Sequence, residues 1–299
     1  MHTSIVLPPP ISYIPSSTFT LLITEPPSPF PSPLFPLLIT RMSGSPAILI
    51  TGASSGLGLA FLNHYASLPT TDHIIALDTH PLPEATHTLP THISFYNVDT
   101  SDEEQISDIA LETMGVPISL LIHCAGTRGL VPETLQERKD DARENGRVLG
   151  EADVAEAETY QVMDQATMMR ALEVNAFGTF NVLSSFVPYL LEGKGAKVVV
   201  LSSRMGSVGG NEKGGGYAYR ASKAALNAVV KSFSVDVPGV QFLLLHPGRV
   251  ETGLVEWKEE GAISVEESVS DCMEVIERWG REGSKSGMFV DRFGVEIPW

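Results

Sequence analysis

Ala47-Ile48-Leu49-Ile50-Thr51-Gly52-Ala53-Ser54-Ser55-Gly56-Leu57-Gly58 decides how this chain is read. An apolar strand-like run passes directly into a turn holding three glycines, and a helix-length segment, Leu57–Ser67, follows. Glycines in a strand-to-helix turn let the backbone approach a pyrophosphate, which sits on the free N–H groups of the helix N-terminus. The spacing is Gly-x-x-x-Gly-x-Gly, not the commoner Gly-x-Gly-x-x-Gly. Any tight strand–helix connection favours glycine, so the weight comes from position: this turn follows the first strand of a strand–helix–strand series.

Outward from that turn, short apolar runs alternate with helix-length segments. The strand candidates are Ala47–Thr51, His73–Leu77, Ile93–Val98, Ser119–His123, Lys197–Ser202, Val240–His246 and Met288–Val290. Most are continuously apolar, as strands covered on both faces are. Helical spacing fits Leu57–Ser67, Asp102–Met114, Gln165–Leu191, Tyr217–Ser234 and Val265–Trp279. The alternation predicts an α/β fold: one Rossmann-type, doubly wound parallel sheet of about seven strands with helices on both faces. There is no internal repeat.

Two stretches stand outside this pattern. Residues 1–41 carry ten prolines among Ser, Thr and short apolar pieces, a density that removes helix and sheet hydrogen bonds. The only Lys or Arg there is Arg41, and prolines break every apolar run, so a targeting peptide is not expected. Two readings stay open: a disordered extension, or a native start at Met42 with the preceding residues absent from the native protein. The domain proper is expected at 42–299. Within it, 134–161 is dense in both charge signs and reads as a solvated insertion, with a partner-binding arm as the other reading.

Composition excludes several classes. The chain has 299 residues, 43% hydrophobic and 19% charged, too apolar for a disordered protein. Twenty Lys and Arg face 36 Asp and Glu, a net charge of −16, which argues against nucleic-acid binding. No run of 18 apolar residues occurs, so no membrane association is expected. Two cysteines, Cys124 and Cys272, build neither a disulfide framework nor a four-cysteine zinc site. The composition fits a reduced, cytoplasmic compartment, and no His/Cys/carboxylate cluster suggests a metal.

Three further features carry chemistry. Asp78 ends the second strand, where a carboxylate accepts hydrogen bonds from the ribose hydroxyls of NAD and repels the extra phosphate of NADP. Its alternative role is a turn residue before Thr79-His80-Pro81. No Lys or Arg adjoins it in sequence, so NAD is favoured over NADP. Asp99 ends the third strand, placed either to approach an adenine or to cap the next helix. Tyr219 and Lys223 stand four apart on one helix face. A free tyrosine has a pKa of about 10, and a nearby ammonium favours its phenolate, as acid–base work near neutrality requires.

These motifs, in this order, resemble those of the short-chain dehydrogenase/reductase family, over the whole chain from about Ala47 to Trp299. The Thr51–Gly58 turn is similar to that family's cofactor motif, and Tyr219/Lys223 to its catalytic pair. Asn175, in Val174-Asn175-Ala176-Phe177-Gly178, matches its active-site asparagine, and Ser203 the serine after its fifth strand. His246-Pro247-Gly248-Arg249-Val250-Glu251-Thr252 matches the segment over the nicotinamide. The Tyr217–Lys223 stretch and the closing Gly294–Trp299 look like the C-factor/sniffer-like carbonyl reductases.

The resemblance implies an NAD(P)-dependent oxidoreductase acting on a small carbonyl or secondary alcohol, with a catalytically silent dinucleotide-binding regulator or scaffold as the alternative. Its catalytic residues would be Asn175, Ser203, Tyr219 and Lys223. Cofactor contacts would come from Gly52, Ser54, Ser55, Gly56, Leu57, Gly58, Asp78, Asp99, Cys124, Ala125 and Gly126, with Tyr219, Lys223, Pro247, Val250 and Thr252. Tyr219 would exchange a proton with the substrate oxygen, Ser203 would donate to that oxygen, and Lys223 would hold the cofactor ribose. A homo-oligomer is also implied.

The departures are specific. The family's Asn-Asn-Ala-Gly reads His123-Cys124-Ala125-Gly126, so two asparagines that tie this turn to neighbouring strands are missing. Cys124 reads as a small buried hydrophobe and His123 as a core-edge histidine. The interval from Ser203 to Tyr219 is long, with Gly214-Gly215-Gly216 as slack, which leaves Ser202, Ser203 and Ser207 in competition. Arg249 stands where the subgroup more often has an aromatic, and either salt-bridges on the surface or reaches an acidic substrate.

Overall fold

The computed structural model describes residues 45–255, 257, 260–280 and 285–299. The Pro-rich segment 1–41 and the Met42 start lie outside the described residues.

Seven strands form one fully parallel sheet: β1 (Ala47–Thr51), β2 (His73–Asp78), β3 (His92–Asn97), β4 (Ile118–His123), β5 (Lys197–Leu201), β6 (Gln241–His246) and β7 (Met288–Asp291). Their order is β3-β2-β1-β4-β5-β6-β7. The expected doubly wound sheet is present, and its order reverses between β1 and β4. In open α/β sheets such a reversal opens a crevice outside the carboxyl ends of the strands, where ligands bind.

The continuous apolar runs have a direct physical cause. Ile48 and Ile50 of β1 pack on one face while Ala47 and Leu49 pack on the other, and β2, β5 and β6 repeat the alternation. One face is covered by α1 (Gly56–Ala66) and α8 (Val265–Arg278), through Phe61, Leu62, Met273 and Ile276. The other is covered by α2 (Glu103–Glu112), α6 (Gly178–Glu192) and α7 (Tyr217–Asp236), through Ile106, Phe186, Leu190 and Val230. Each fully buried Leu, Ile or Phe on these faces contributes roughly 1.5–3 kcal/mol.

Two segments differ from expectation. The single helix expected at Gln165–Leu191 is α5 (Gln165–Leu172) and α6, joined by a π-helical turn at Glu173–Phe177. Such widened turns are frequent at functional sites, and this one carries Asn175. The whole stretch is long and apolar enough to cross a membrane by length and composition alone, but half of its apolar window is buried inside the protein.

The charged stretch 134–161 is folded. It takes in most of α3 (Pro132–Glu144), the connection after it and all of α4 (Glu151–Glu156). Its charges pair mostly with each other: Arg147 reaches Asp153 at 2.6 Å, and Arg138 reaches Glu156 at 3.4 Å. Beneath them Leu135, Val154 and Ala157 pack against Val255 and Trp257 from the segment after β6. Charge patterning made the stretch look merely solvated because four buried apolar residues, Leu135, Ala142, Val154 and Ala157, are too few to dominate it.

Candidate active site

The glycine turn is shaped by close backbone approach. Gly52 has φ +65°, and a Cβ there would lie 2.8 Å from the Ala125 nitrogen. A Cβ on Gly58 would fall 1.9 Å from the Gly52 carbonyl oxygen. The turn is closed from the side by Asp78, whose carboxylate accepts the Ser54 and His80 backbone N–H groups at 2.9 Å each.

A cleft of about 410 Å³ opens at the sheet reversal. Its wall contains Gly52, Ser55, Gly56, Leu57, Gly58, Asp78, Asp99, Cys124, Ala125, Gly126, Tyr219, Lys223, Pro247 and Thr252. Of the sequence-expected cofactor residues, only Ser54 and Val250 are outside that wall; Ser54 acts through its bond to Asp78, and Val250 lines the adjoining cavity. A glycine-lined wall at a helix N-terminus, with carboxylates at one end and Tyr219/Lys223 at the other, fits an extended dinucleotide.

Asp99 accepts from the Ser101 backbone and hydroxyl and pairs with Arg170 at 2.7 Å. Burial pushes its carboxyl up, but the Arg170 and Ser101 hydrogen bonds outweigh that and hold it below the usual carboxylate range. The helix cap is Asp102, which accepts from the Gln105 N–H. Arg170 is a cleft residue that sequence reasoning missed, because it arrives from α5, far away in the chain.

At the other end, Lys223 is buried and donates from Nζ to the Leu201 carbonyl at 2.9 Å. Burial lowers its pKa from 10.5 to about 8. Asn175 clamps the strand-end turn: its Oδ1 accepts the Thr127 N–H, while its Nδ2 donates to the Thr127 carbonyl and to Ser222 Oγ, each at 2.8 Å. Ser222 in turn donates to the Tyr219 carbonyl at 2.9 Å. Asn175 thus ties the cleft floor to the helix that carries Tyr219 and Lys223.

His123 performs the tie that sequence reasoning took to be missing. Thr51 Oγ1 already accepts the Cys124 and Ala125 N–H groups, so its proton goes to His123 Nδ1 at 2.9 Å. The Thr179 hydroxyl donates to the Asn175 carbonyl at 2.7 Å, so His123 Nε2–H donates to Thr179 Oγ1 at 3.0 Å. One neutral tautomer satisfies every partner. Burial, with the Lys223 charge, pushes the imidazole down to about 3. Cys124 is half-buried in the cleft wall rather than enclosed in the core, and burial drives its thiol pKa well up.

A second cavity, of about 880 Å³, meets the cleft at Tyr219, Pro247 and Thr252. Ser203 lines it; its oxygen accepts the Met205 N–H at 3.1 Å, while its proton has no acceptor among the described residues. Ser202 instead donates to Asn227 Oδ1, and Ser207 accepts the Gly210 N–H outside both cavities. Arg249 makes the salt bridge, at 3.5 Å from Glu151. Arg128 stands 4.9 Å over the Tyr219 ring, held by two hydrogen bonds to Glu158 at 2.9 and 3.0 Å. A cation over an aromatic ring favours negative charge on it. No sequence signal pointed to this pair, because Glu158 comes from the charged stretch. No group of His, Cys and carboxylates suited to a metal occurs among the described residues.

The family model described as short chain dehydrogenase matches residues 46–262. The chain is 40% identical to C-signal of Myxococcus xanthus over 139 residues, covering 46% of this chain and 81% of that one. Its fold is similar to the carbonyl reductase Sniffer of D. melanogaster, with TM-score 0.67, 24% identity, 86% of this chain and 100% of that one covered. It is equally similar to an NADPH-bound carbonyl reductase from chicken fatty liver, with TM-score 0.67, 23% identity, and 85% and 98% covered. The chain belongs to the short-chain dehydrogenase family, which makes oxidoreductase its class.

The buried Lys223 gives a pH signature. Its folded-state pKa, about 8, lies below the unfolded 10.5, so between those values the unfolded chain binds more protons and stability rises with pH. Urea unfolding at pH 7.5 and pH 10 should show the wild type gaining roughly 2 kcal/mol relative to Lys223→Met. Parallel stability curves for the two proteins would contradict this assignment.

Proposed function

We propose that the protein is a cytoplasmic NAD(P)-dependent reductase or dehydrogenase of a carbonyl/secondary-alcohol pair, with Tyr219 as the acid–base residue. The observation that carries this reading is the convergence of Ser203, Tyr219 and Lys223, clamped by Asn175, where the glycine-lined cleft meets the larger cavity. When bound, the nicotinamide cofactor supplies the hydride donor or acceptor.

The chain's own residues do the rest. Ser203 donates its free proton to the substrate oxygen, where charge develops. Tyr219 gives or takes the proton on that oxygen. The Lys223 ammonium, fixed by the Leu201 carbonyl, favours the phenolate and would hold a hydroxyl of the bound cofactor. Arg128 adds positive charge over the ring, and Glu158 keeps it there.

Asp78 supports NAD as the cofactor. It lines the cleft with both carboxylate oxygens on backbone N–H groups, and Arg170, the one arginine in that wall among the described residues, pairs with Asp99. The chicken reductase is NADPH-bound, so the cofactor is tested directly. A homo-oligomer is favoured by Phe177 and Phe180, which stand exposed where the π-turn passes into α6.

Two outcomes are expected. Tyr219→Phe should lose at least a hundredfold in turnover of an aldehyde panel while retaining cofactor affinity; equal turnover would reject Tyr219 as the acid–base residue. In fluorescence titrations NADH should bind the wild type more tightly than NADPH, and Asp78→Ala should narrow the gap. A wild type that prefers NADPH would overturn the reading of Asp78.

A further inference from the structure

The wall of the larger cavity departs from the rest of this acidic protein. The chain carries a net charge of −16, yet the wall holds Arg128, Arg204, Lys213, Arg220 and Arg249 against three carboxylates, Glu151, Glu158 and Glu212. Three of these arginines are already paired: Arg128 with Glu158, Arg204 with Asp291 and Arg249 with Glu151. Arg220 is not. It has no carboxylate within salt-bridge distance among the described residues, although it is half-buried and adjoins Tyr219 in sequence.

Arg220 is nevertheless held in place. Its Nε donates to the Gly215 carbonyl at 2.9 Å and the Gly214 carbonyl at 3.3 Å, and its Nη1 reaches the Met205 carbonyl at 3.5 Å. Gly214, Gly215 and Gly216 have φ of +66°, +66° and +59°. Three consecutive left-handed residues are open to glycine and strongly disfavoured for other residues. The triple glycine is therefore a cradle that turns carbonyls toward Arg220, and not mere slack. Neutral carbonyls orient a guanidinium without neutralising it, and Nη2 is left with no acceptor among the described residues.

Two further observations agree. The Trp257 side chain, in the wall of the same cavity, is buried with an indole N–H that has no acceptor among the described residues. Burial, and then the neighbouring Arg128 charge, depress the Arg220 pKa, with Glu158 pulling the other way. The wall thus offers unused donors and uncompensated positive charge beside the reacting end of the cleft. A guanidinium held only by neutral carbonyls keeps its charge available to an anionic ligand.

We propose that the larger cavity receives a carbonyl substrate bearing an anionic group, a carboxylate or phosphate, and that Arg220 is the residue that binds it. This rests on the reductase reading of Tyr219. Arg128, engaged with Glu158 and the Tyr219 ring, serves the proton-transfer end instead.

The test uses the full-length protein and a matched pair of aldehydes, 4-carboxybenzaldehyde and its methyl ester. The ratio of their kcat/KM values should favour the acid at least tenfold in the wild type. That ratio should collapse in Arg220→Met and be partly restored in Arg220→Lys. Calorimetric binding of 4-(hydroxymethyl)benzoate to the protein loaded with reduced cofactor, against 4-methylbenzyl alcohol, gives the same contrast without turnover. A ratio near one in the wild type, or one unmoved by Arg220→Met, overturns the proposal. Arg220-dependent binding of the acid with no turnover of either aldehyde would instead defeat the reductase reading and leave the anion site standing.

Discussion

One buried charge organises this molecule: the Lys223 ammonium, enclosed by protein and held by the carbonyl at the end of β5. Burying a cation costs free energy, and burial lowers the Lys223 pKa to about 8. The cost is sustained because the position is fixed from several sides. The parallel sheet fixes the Leu201 carbonyl, α7 fixes the lysine, and Asn175 on the π-turn ties α7 to the strand-end loop through Ser222. A strained or polar device maintained inside a well-packed core is the expected signature of a functional site.

The same economy explains His123. In the family pattern two asparagines secure the turn after the fourth strand, and neither is present. The imidazole spans the same gap because its two nitrogens, one accepting and one donating, match the Thr51 and Thr179 hydroxyls. The Thr179 hydroxyl in turn bonds the Asn175 carbonyl, so the turn, the π-turn and α6 are linked in one hydrogen-bonded chain. Because burial keeps the imidazole neutral, that chain stays intact across the physiological range.

The sheet, its parallel order and most of the cleft wall were legible in the sequence, for a physical reason. Strands buried on both faces must be continuously apolar, and a position whose Cβ would fall within 3 Å of neighbouring backbone must be glycine, so Gly52 and Gly58 announce their own geometry. The i, i+4 relation of Tyr219 and Lys223 is equally local. What escaped was long-range. Arg170 reaches Asp99 from 71 positions away, and Glu158 reaches Arg128 from 30. Nothing in their neighbourhoods marks them. The triple glycine was visible, but its purpose depends on Arg220, whose partners only the folded loop reveals. The charged stretch concealed its folding because its ion pairs are mostly internal and its apolar anchors few.

We infer that this cleft carries out hydride transfer under the control of Tyr219 and Lys223. It is tested most directly with reduced nicotinamide cofactor carrying deuterium at the transferring C4 position, incubated with the protein and an aldehyde. Mass spectrometry of the alcohol should find one deuterium on the carbinol carbon with the wild type and none above background with Lys223→Met. Alcohol formed without the label, or equal labelling by both proteins, would contradict the account.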